Sequence, residues 1–444
     1  MAAPLTWRNW SRELRCSPQA IERPRTAEEL CGVLERAAAA GLRVRASAAG
    51  HSFSDIALTD DVMVRLDRLD RVIGVDVESG LVRVEAGIVL ADLNRRLDAV
   101  GLALENLGDI DRQTLGGAIA TATHGTGAGW RNLSSQVTAI ELACADGQLR
   151  TIDPKADPDA LRAARVGLGA LGIVYAVTLR VLPAYTLRRV DRARPLSEVL
   201  SRLDELAASF DHFEFYVFPH TDTALCRETE RTFEAPAPSN RALRWFQEVA
   251  IENGAGSVLA AANRRFPERA PGLARIGERG VGKAVTVDRS HRVFASERRV
   301  RFTEMEYCLP RGADGADARH VADVLELASR REFGVAFPVE VRFAAGDDAF
   351  LSPSFERDSL YIAVHHHRGS TGEATSRPSK TRWATAAGAR IGASATPARR
   401  PTSRPSTRPG SSSPPCATGS TRTASSRTTT RTASSASGSP AGGS

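Results

Sequence analysis

Leu107-Gly-Asp-Ile-Asp-Arg-Gln-Thr-Leu-Gly-Gly-Ala-Ile-Ala-Thr-Ala-Thr-His-Gly-Thr-Gly127 decides how this 444-residue chain reads. Within it, Gly116, Gly117, Gly125 and Gly127 let backbone pass close to another group. Thr121, Thr123 and His124 supply short polar side chains beside them. Residues without bulk allow N–H groups to approach an anion such as a diphosphate. A second stretch upstream has the same character: Ala46-Ser-Ala-Ala-Gly-His-Ser-Phe-Ser-Asp55, in which Ser52 and Ser54 add hydroxyl donors. Taken singly, either loop reads equally well as a tight turn with an incidental histidine.

Working outward, Thr26-Ala-Glu-Glu29 predicts a helix start, with Leu30, Val33 and Leu34 at helical spacing and Gly41 as the stop. Ile21–Arg23 and Arg43–Ala46 read as strands on either side, so a β-α-β unit delivers the Ala48–Ser52 loop. Val62–Leu66 reads as a further strand. Val72–Val77 and Leu81–Ala86 alternate about Ser79-Gly80 and predict a hairpin. Leu90–Val100 predicts an amphipathic helix, and Ile140–Ala143 and Val174–Val181 predict strands. Beyond Tyr185 the texture changes. His212–Phe218, Arg301–Leu309 and Val339–Phe343 read as strands, separated by helices such as Leu196–Phe210 and Ala318–Ser329; Ala235–Arg279 reads as helical and Arg-rich. The expected fold class is α+β: one domain over residues 1–185, a second with an antiparallel sheet over 186–368, and a tail over 369–444.

Gly167-Leu-Gly-Ala-Leu-Gly172 matches the G-x-G-x-x-G pattern literally. A dinucleotide site needs a strand before those glycines and a helix after them. Here a helix-like Leu161–Val166 precedes and a strand-like Ile173–Val181 follows, so the order is reversed and a nicotinamide-dependent dehydrogenase is disfavoured.

The two loops in this order, followed by Gly169-Ala-Leu-Gly-Ile-Val-Tyr-Ala-Val-Thr-Leu-Arg-Val181, resemble the PCMH-type FAD-binding domain of the vanillyl-alcohol-oxidase superfamily. They are most similar to the L-gulono-/D-arabinono-1,4-lactone oxidases. Phe302-Thr-Glu-Met-Glu-Tyr-Cys-Leu-Pro310 and Pro338-Val-Glu-Val-Arg-Phe343 carry the resemblance into the second half, so that it covers roughly residues 7–368. It implies a two-subdomain FAD-binding domain followed by a substrate (cap) domain. Ser47, Ala48, Ala49, Gly50, His51 and Ser52 would wrap the FAD diphosphate, with His51 matching the histidine that many members link covalently to flavin. Asp109, Gln113, Gly117, Thr121, Thr123, His124 and Gly125 would line the diphosphate and isoalloxazine, and Ile173 and Val174 would offer backbone groups. Glu340 and Arg342 would face flavin and substrate. Ala48 departs from the pattern, since glycine is common there.

The residue types suit that chemistry. Hydride leaves a carbinol carbon for flavin N5, and a cation such as Arg342 stabilises the anionic reduced flavin. Glu340, two residues earlier on a strand, points to the same face. The implied reaction is oxidation of a sugar lactone or polyol, with oxygen or another acceptor reoxidising the flavin. An alditol or other carbohydrate oxidase, and a flavin-binding protein without catalysis, stay open as alternatives. His365, His366 and His367 do not predict a metal site, because adjacent strand residues face opposite sides.

Of the 76 residues after Arg368, 71 are Ser, Thr, Arg, Ala, Pro or Gly, too few apolar groups to offset chain entropy. This segment is expected to be disordered. It also reads as GC-rich coding sequence in a neighbouring frame: a one-base shift of the codons for Ala389–Thr396 permits Arg-Pro-His-Trp-Gly-Lys-Arg-His, and the resembling family ends in a segment carrying His-Trp-Gly-Lys. The tail holds 11 Lys and Arg against one acid, whereas residues 1–368 hold 48 against 51. The net charge of +7 therefore belongs to the tail, and no nucleic-acid-binding face is expected. Six scattered cysteines, with no CxxC pair, read as buried thiols of a reducing compartment. No secretion signal and no transmembrane run is seen, so the expected location is cytoplasmic, with peripheral membrane attachment left open.

Overall fold

The computed structural model describes residues 5–237, 272, 283–296, 301–330, 335 and 337–367. Most of the Arg-rich segment read as helical, and all of the expected disordered tail with its frame reading, lie outside the described residues. A parallel β-α-β unit lies near the start of the chain. Thr26 caps the helix Ala27–Ala39, its Oγ1 accepting from the Glu29 N–H at 3.2 Å, while the Glu29 carboxylate accepts from the N–H of Arg25. The helix crosses between Ala20–Glu22 and Val44–Ser47, which flank Val62–Arg65 in a three-stranded parallel sheet. Leu30, Val33 and Leu34 bury on this sheet together with Ile173 and Tyr175 from the next.

That next sheet is five-stranded and antiparallel, in the order Leu149–Ile152, Val137–Ala143, Ile173–Arg180, Leu81–Glu85, Val72–Asp76. Leu90, Leu93 and Leu97 of the helix Leu90–Ala99 pack on it. Gly167–Gly172 runs between the helix Pro158–Arg165 and the strand Ile173–Arg180.

The third sheet has seven antiparallel strands, in the order Ala284–Arg289, Thr186–Pro195, Thr223–Thr232, His212–Val217, Val339–Ala344, Ser359–His367, Phe302–Pro310. Its two faces differ completely. Phe213, Phe215, Val341, Phe343, Leu360 and Ile362 point to one side and bury against the helices Leu203–Ser209 and Ala316–Ala328. Period-two alternation then forces Glu214, Tyr216, Glu340, Arg342 and Tyr361 onto the other side.

Three expectations change in detail. The helix expected over Leu196–Phe210 is two helices, Leu196–Ser201 and Leu203–Ser209. At the break the Ser201 hydroxyl donates to the Glu198 carbonyl and competes with the backbone bond. The ten-residue strands Thr186–Pro195 and Thr223–Thr232 were not anticipated, and they form the longest pairing of the sheet. Among the described cysteines, Cys16 and Cys226 are buried, but Cys31, Cys144 and Cys308 only partly. No helix among the described residues is long and apolar enough to cross a membrane.

Candidate active site

The first glycine loop leaves the parallel sheet at Ser47, which is buried. Gly50 adopts φ +76°, a conformation that glycine takes without penalty, and turns the chain into His51 and Ser52. The Ser52 and Ser54 hydroxyls are hydrogen-bonded at 3.0 Å. His51 is sequestered enough that burial holds its imidazole neutral, with a pKa down to about 4, against an opposing pull from Asp109.

The second glycine segment meets the first directly. A Cβ placed on Gly117 would stand 2.5 Å from the Ala48 methyl, and one on Gly125 would stand 2.3 Å from the Leu107 carbonyl oxygen. Neither position accepts a side chain, so Ala48 crowds Gly117. Gln113 Nε2 donates to Thr123 Oγ1 at 3.2 Å, and its buried Oε1 has no partner among the described residues. Thr121 donates to the Gly117 carbonyl at 3.0 Å. Ile173 and Val174 open the central strand of the five-stranded sheet beside Ala143 and Leu142.

His124 joins this segment to the seven-stranded sheet. Its ring stacks on Tyr361 with centroids 3.8 Å apart. Nδ1 lies 2.8 Å from the Gly125 carbonyl and Nε2 lies 3.1 Å from Glu306 Oε2. The other Glu306 oxygen accepts from Arg342 Nη2 at 2.8 Å. Burial pushes the Glu306 carboxyl upward, but His124 and Arg342 outweigh it and hold the group at about 2. Glu304, on the same face of the strand, faces His365, whose Nε2 lies 3.6 Å from its Oε2. Although 19% of its side-chain surface stays exposed, burial and then the like charge of Glu306 push it up to about 8.

Arg342 sits at the centre of this face. Arg342 Nε lies 3.5 Å from Glu340 Oε1, and both side chains are nearly fully buried, at 8% and 1% exposure. Tyr216 hydroxyl, 2.9 Å from Glu340 Oε1 and 3.0 Å from Glu214 Oε1, ties the two carboxylates together. A row of opposed charges crosses the strands: Asp191 pairs with Arg227, and Arg227 with Glu214. Arg227 donates to Asp191 at 3.1 Å and to Glu214 at 2.8 Å. Burial nonetheless raises the Glu214 carboxyl. A pocket lined in part by Asp109, Gly125, His212, Glu214, Arg227 and Arg342 opens between this face and the glycine segment. His212 donates from Nδ1 to the Thr126 carbonyl at 2.8 Å; burial keeps the ring neutral, with a pKa near 4.

The structure thus brings together Asp109, Gly125, His124, Glu340 and Arg342 around one pocket and its wall, and sets Ala48 against Gly117. Ile173 and Val174 are not among the pocket's lining. Sequence reading passed over Glu304, Glu306, Glu214, Tyr216, Arg227 and His212. Alternation in His-Phe-Glu-Phe-Tyr-Val217 and Phe-Thr-Glu-Met-Glu-Tyr307 was the available signal, because it sets the polar residues His212, Glu214 and Tyr216, and likewise Glu304 and Glu306, on one face of their strand.

The D-arabinono-1,4-lactone oxidase family model matches residues 177–386, and an FAD-binding domain model matches residues 18–153. An L-gulono-1,4-lactone dehydrogenase of Mycobacterium tuberculosis is 46% identical over 363 residues, covering 82% of this chain and 83% of that protein. The chain belongs to this aldonolactone oxidase and dehydrogenase family. Another relative, an L-gulonolactone oxidase of Bos taurus, is 35% identical, with 82% of each chain covered. A solved structure of a solvent-stable cholesterol oxidase superposes with a TM-score of 0.72 at 18% identity, over 86% of this chain and 82% of that one. That likeness concerns the fold. FAD is the cofactor of the N-terminal domain. Gly117 and Gly125 let neighbouring protein segments pack against them, and the buried, unpartnered Gln113 Oε1 fits a hydrogen-bond donor of a bound cofactor.

Proposed function

We propose that this flavoprotein oxidises a C–OH of an aldono-1,4-lactone of the L-gulono or D-arabinono kind, with hydride passing to flavin N5. Residues 1–185 form the cofactor domain and residues 186–368 the substrate domain. Ser47–Ser52 hold the diphosphate, with His51 as the attachment point for the flavin. Asp109, Gln113, Gly117, Thr121, Thr123, His124 and Gly125 line the diphosphate and isoalloxazine, and Ile173 and Val174 contribute backbone groups.

One observation carries the reading: a buried arginine, Arg342, held by Glu306 and Glu340 on the face that opens toward His124 and Asp109. Bound FAD supplies the hydride acceptor. Arg342 presents a fixed positive charge in a site shielded from water, where such a charge acts most strongly on developing negative charge. Glu340, braced by Tyr216, accepts a hydrogen bond from the substrate hydroxyl and orients the carbinol. Oxygen or another acceptor takes the electrons onward, and the chain works in the cytoplasm, free or attached peripherally to a membrane.

Turnover of L-gulono- and D-arabinono-1,4-lactone, compared with sorbitol and xylitol, tests the assignment, with dioxygen and a redox dye as alternative acceptors. Lactones are expected to be turned over and alditols far more slowly. The reverse order supports an alditol oxidase and contradicts the proposal.

A further inference from the structure

The segment from Trp7 to Leu14 lies far from the glycine loops in sequence, yet it is built around the first of them. Trp10 N–H donates to the Gly50 carbonyl at 2.7 Å. Asn9, only 3% exposed, donates from Nδ2 to the Ser52 carbonyl at 3.1 Å and to Ser11 Oγ at 3.0 Å, while its Oδ1 accepts from the Leu14 N–H at 3.1 Å. His51 is thus bracketed, the carbonyls on both sides being hydrogen-bonded by one short segment. The ring of Trp10 then stacks on the His51 imidazole, with centroids 5.2 Å apart and planes 27° from parallel. The reverse side of Gly50 is closed as well, since a Cβ there would lie 3.2 Å from the Trp7 ring. Phe302 of the seven-stranded sheet meets Trp10 edge-on at 5.3 Å, so the indole is wedged between the histidine and that sheet.

We propose that Trp10, seated by Asn9, is a positioning residue that sets the ring plane of His51 for covalent attachment of the flavin. The proposal rests on the reading of His51 as the attachment point. Linkage joins a ring nitrogen of His51 to the methyl carbon of the flavin's dimethylbenzene ring. The imidazole N–H and the methyl each give up one hydrogen, and the accompanying electron pair passes to dioxygen, which becomes hydrogen peroxide. A nitrogen lone pair must lie along the forming bond, so the ring's rotation about χ1 and χ2 governs the rate. Backbone hydrogen bonds fix where the His51 Cα stands; the stacked indole fixes the rotation. Burial keeps the ring neutral, which leaves one nitrogen with its lone pair.

The test incubates the full apo chain with FAD and follows flavin fluorescence that stays with the protein after acid denaturation. Trp10→Leu keeps apolar bulk but removes the stacking face, and it is expected to slow covalent incorporation about tenfold or more. Trp10→Phe is expected to restore much of the rate, and thermal melting of both variants should stay near that of wild type. A Trp10→Leu chain that melts normally and incorporates flavin at the wild-type rate overturns the proposal. If Trp10→Leu melts early, Trp10→Phe decides alone: a folded phenylalanine variant that is as slow as the leucine one rules out stacking as the cause. Wild type that carries no covalent flavin, like His51→Ala, overturns the reading of His51 itself and the proposal with it.

Discussion

Arg342 has its guanidinium shared between Glu306 and Glu340, at 2.8 and 3.5 Å. Replacing it with a neutral side chain leaves two carboxylates facing each other with their common cation gone. Arg342→Met is expected to slow reduction of the flavin by about 10²–10³-fold, with a smaller effect on flavin content; stopped-flow reduction kinetics check this. Glu304 makes a different prediction. In the folded chain its carboxyl keeps a proton up to about pH 8, whereas in the unfolded chain it releases it near 4.5. Between those values the folded state binds the extra proton, so the stability contributed by this residue falls as pH rises through the window. Glu304→Gln should flatten that decline, so that thermal melts of variant and wild type diverge increasingly between about pH 5 and 8. Parallel melting curves across the window contradict the assignment. Residues such as Glu340 and Arg342 were legible in sequence because they share one strand and one motif. The contact of His124 with Glu306 spans 182 residues, and that of Asn9 with Ser52 spans 43, so no local pattern announces either.

Among elements, the glycine segments were the most legible, since their composition reports a local steric need. Gly117 shows how tight that need is. Its missing Cβ would lie 2.5 Å from the Ala48 methyl and 3.2 Å from Thr114 Oγ1. Gly117→Ala is expected to destabilise the chain by about 1–3 kcal/mol through overpacking. Adding Ala48→Gly should recover most of that loss, read from the midpoint of urea unfolding. Losses that simply add contradict the contact. The strands Thr186–Pro195 and Thr223–Thr232 were hidden for the opposite reason. Thr-Leu-Arg-Arg-Val-Asp-Arg-Ala-Arg-Pro195 and Thr-Ala-Leu-Cys-Arg-Glu-Thr-Glu-Arg-Thr232 bury charges against one another, so hydrophobic alternation is weak even where pairing runs unbroken for ten residues. Sequence periodicity senses burial in apolar surroundings, and an ion-paired face gives it little to detect.

On the scale of the whole molecule, the fold sets two glycine-rich segments against the charged face of a seven-stranded sheet whose reverse side is the second core. The α+β class and the change of texture near Tyr185 could be read in advance, because the β-α-β unit and the later alternating strands leave different marks on the chain. The order of strands in the large sheet could not, since it depends on pairings between segments more than a hundred residues apart, such as Tyr216 with Glu340. We propose that this face and these loops together oxidise an aldonolactone with FAD. Anaerobic mixing of the FAD-loaded chain with L-gulono-1,4-lactone tests it most directly. The yellow absorption of the flavin is expected to bleach on mixing and to return when an electron acceptor is admitted. Flavin that is bound but stays oxidised with L-gulono- and D-arabinono-1,4-lactone alike would contradict it.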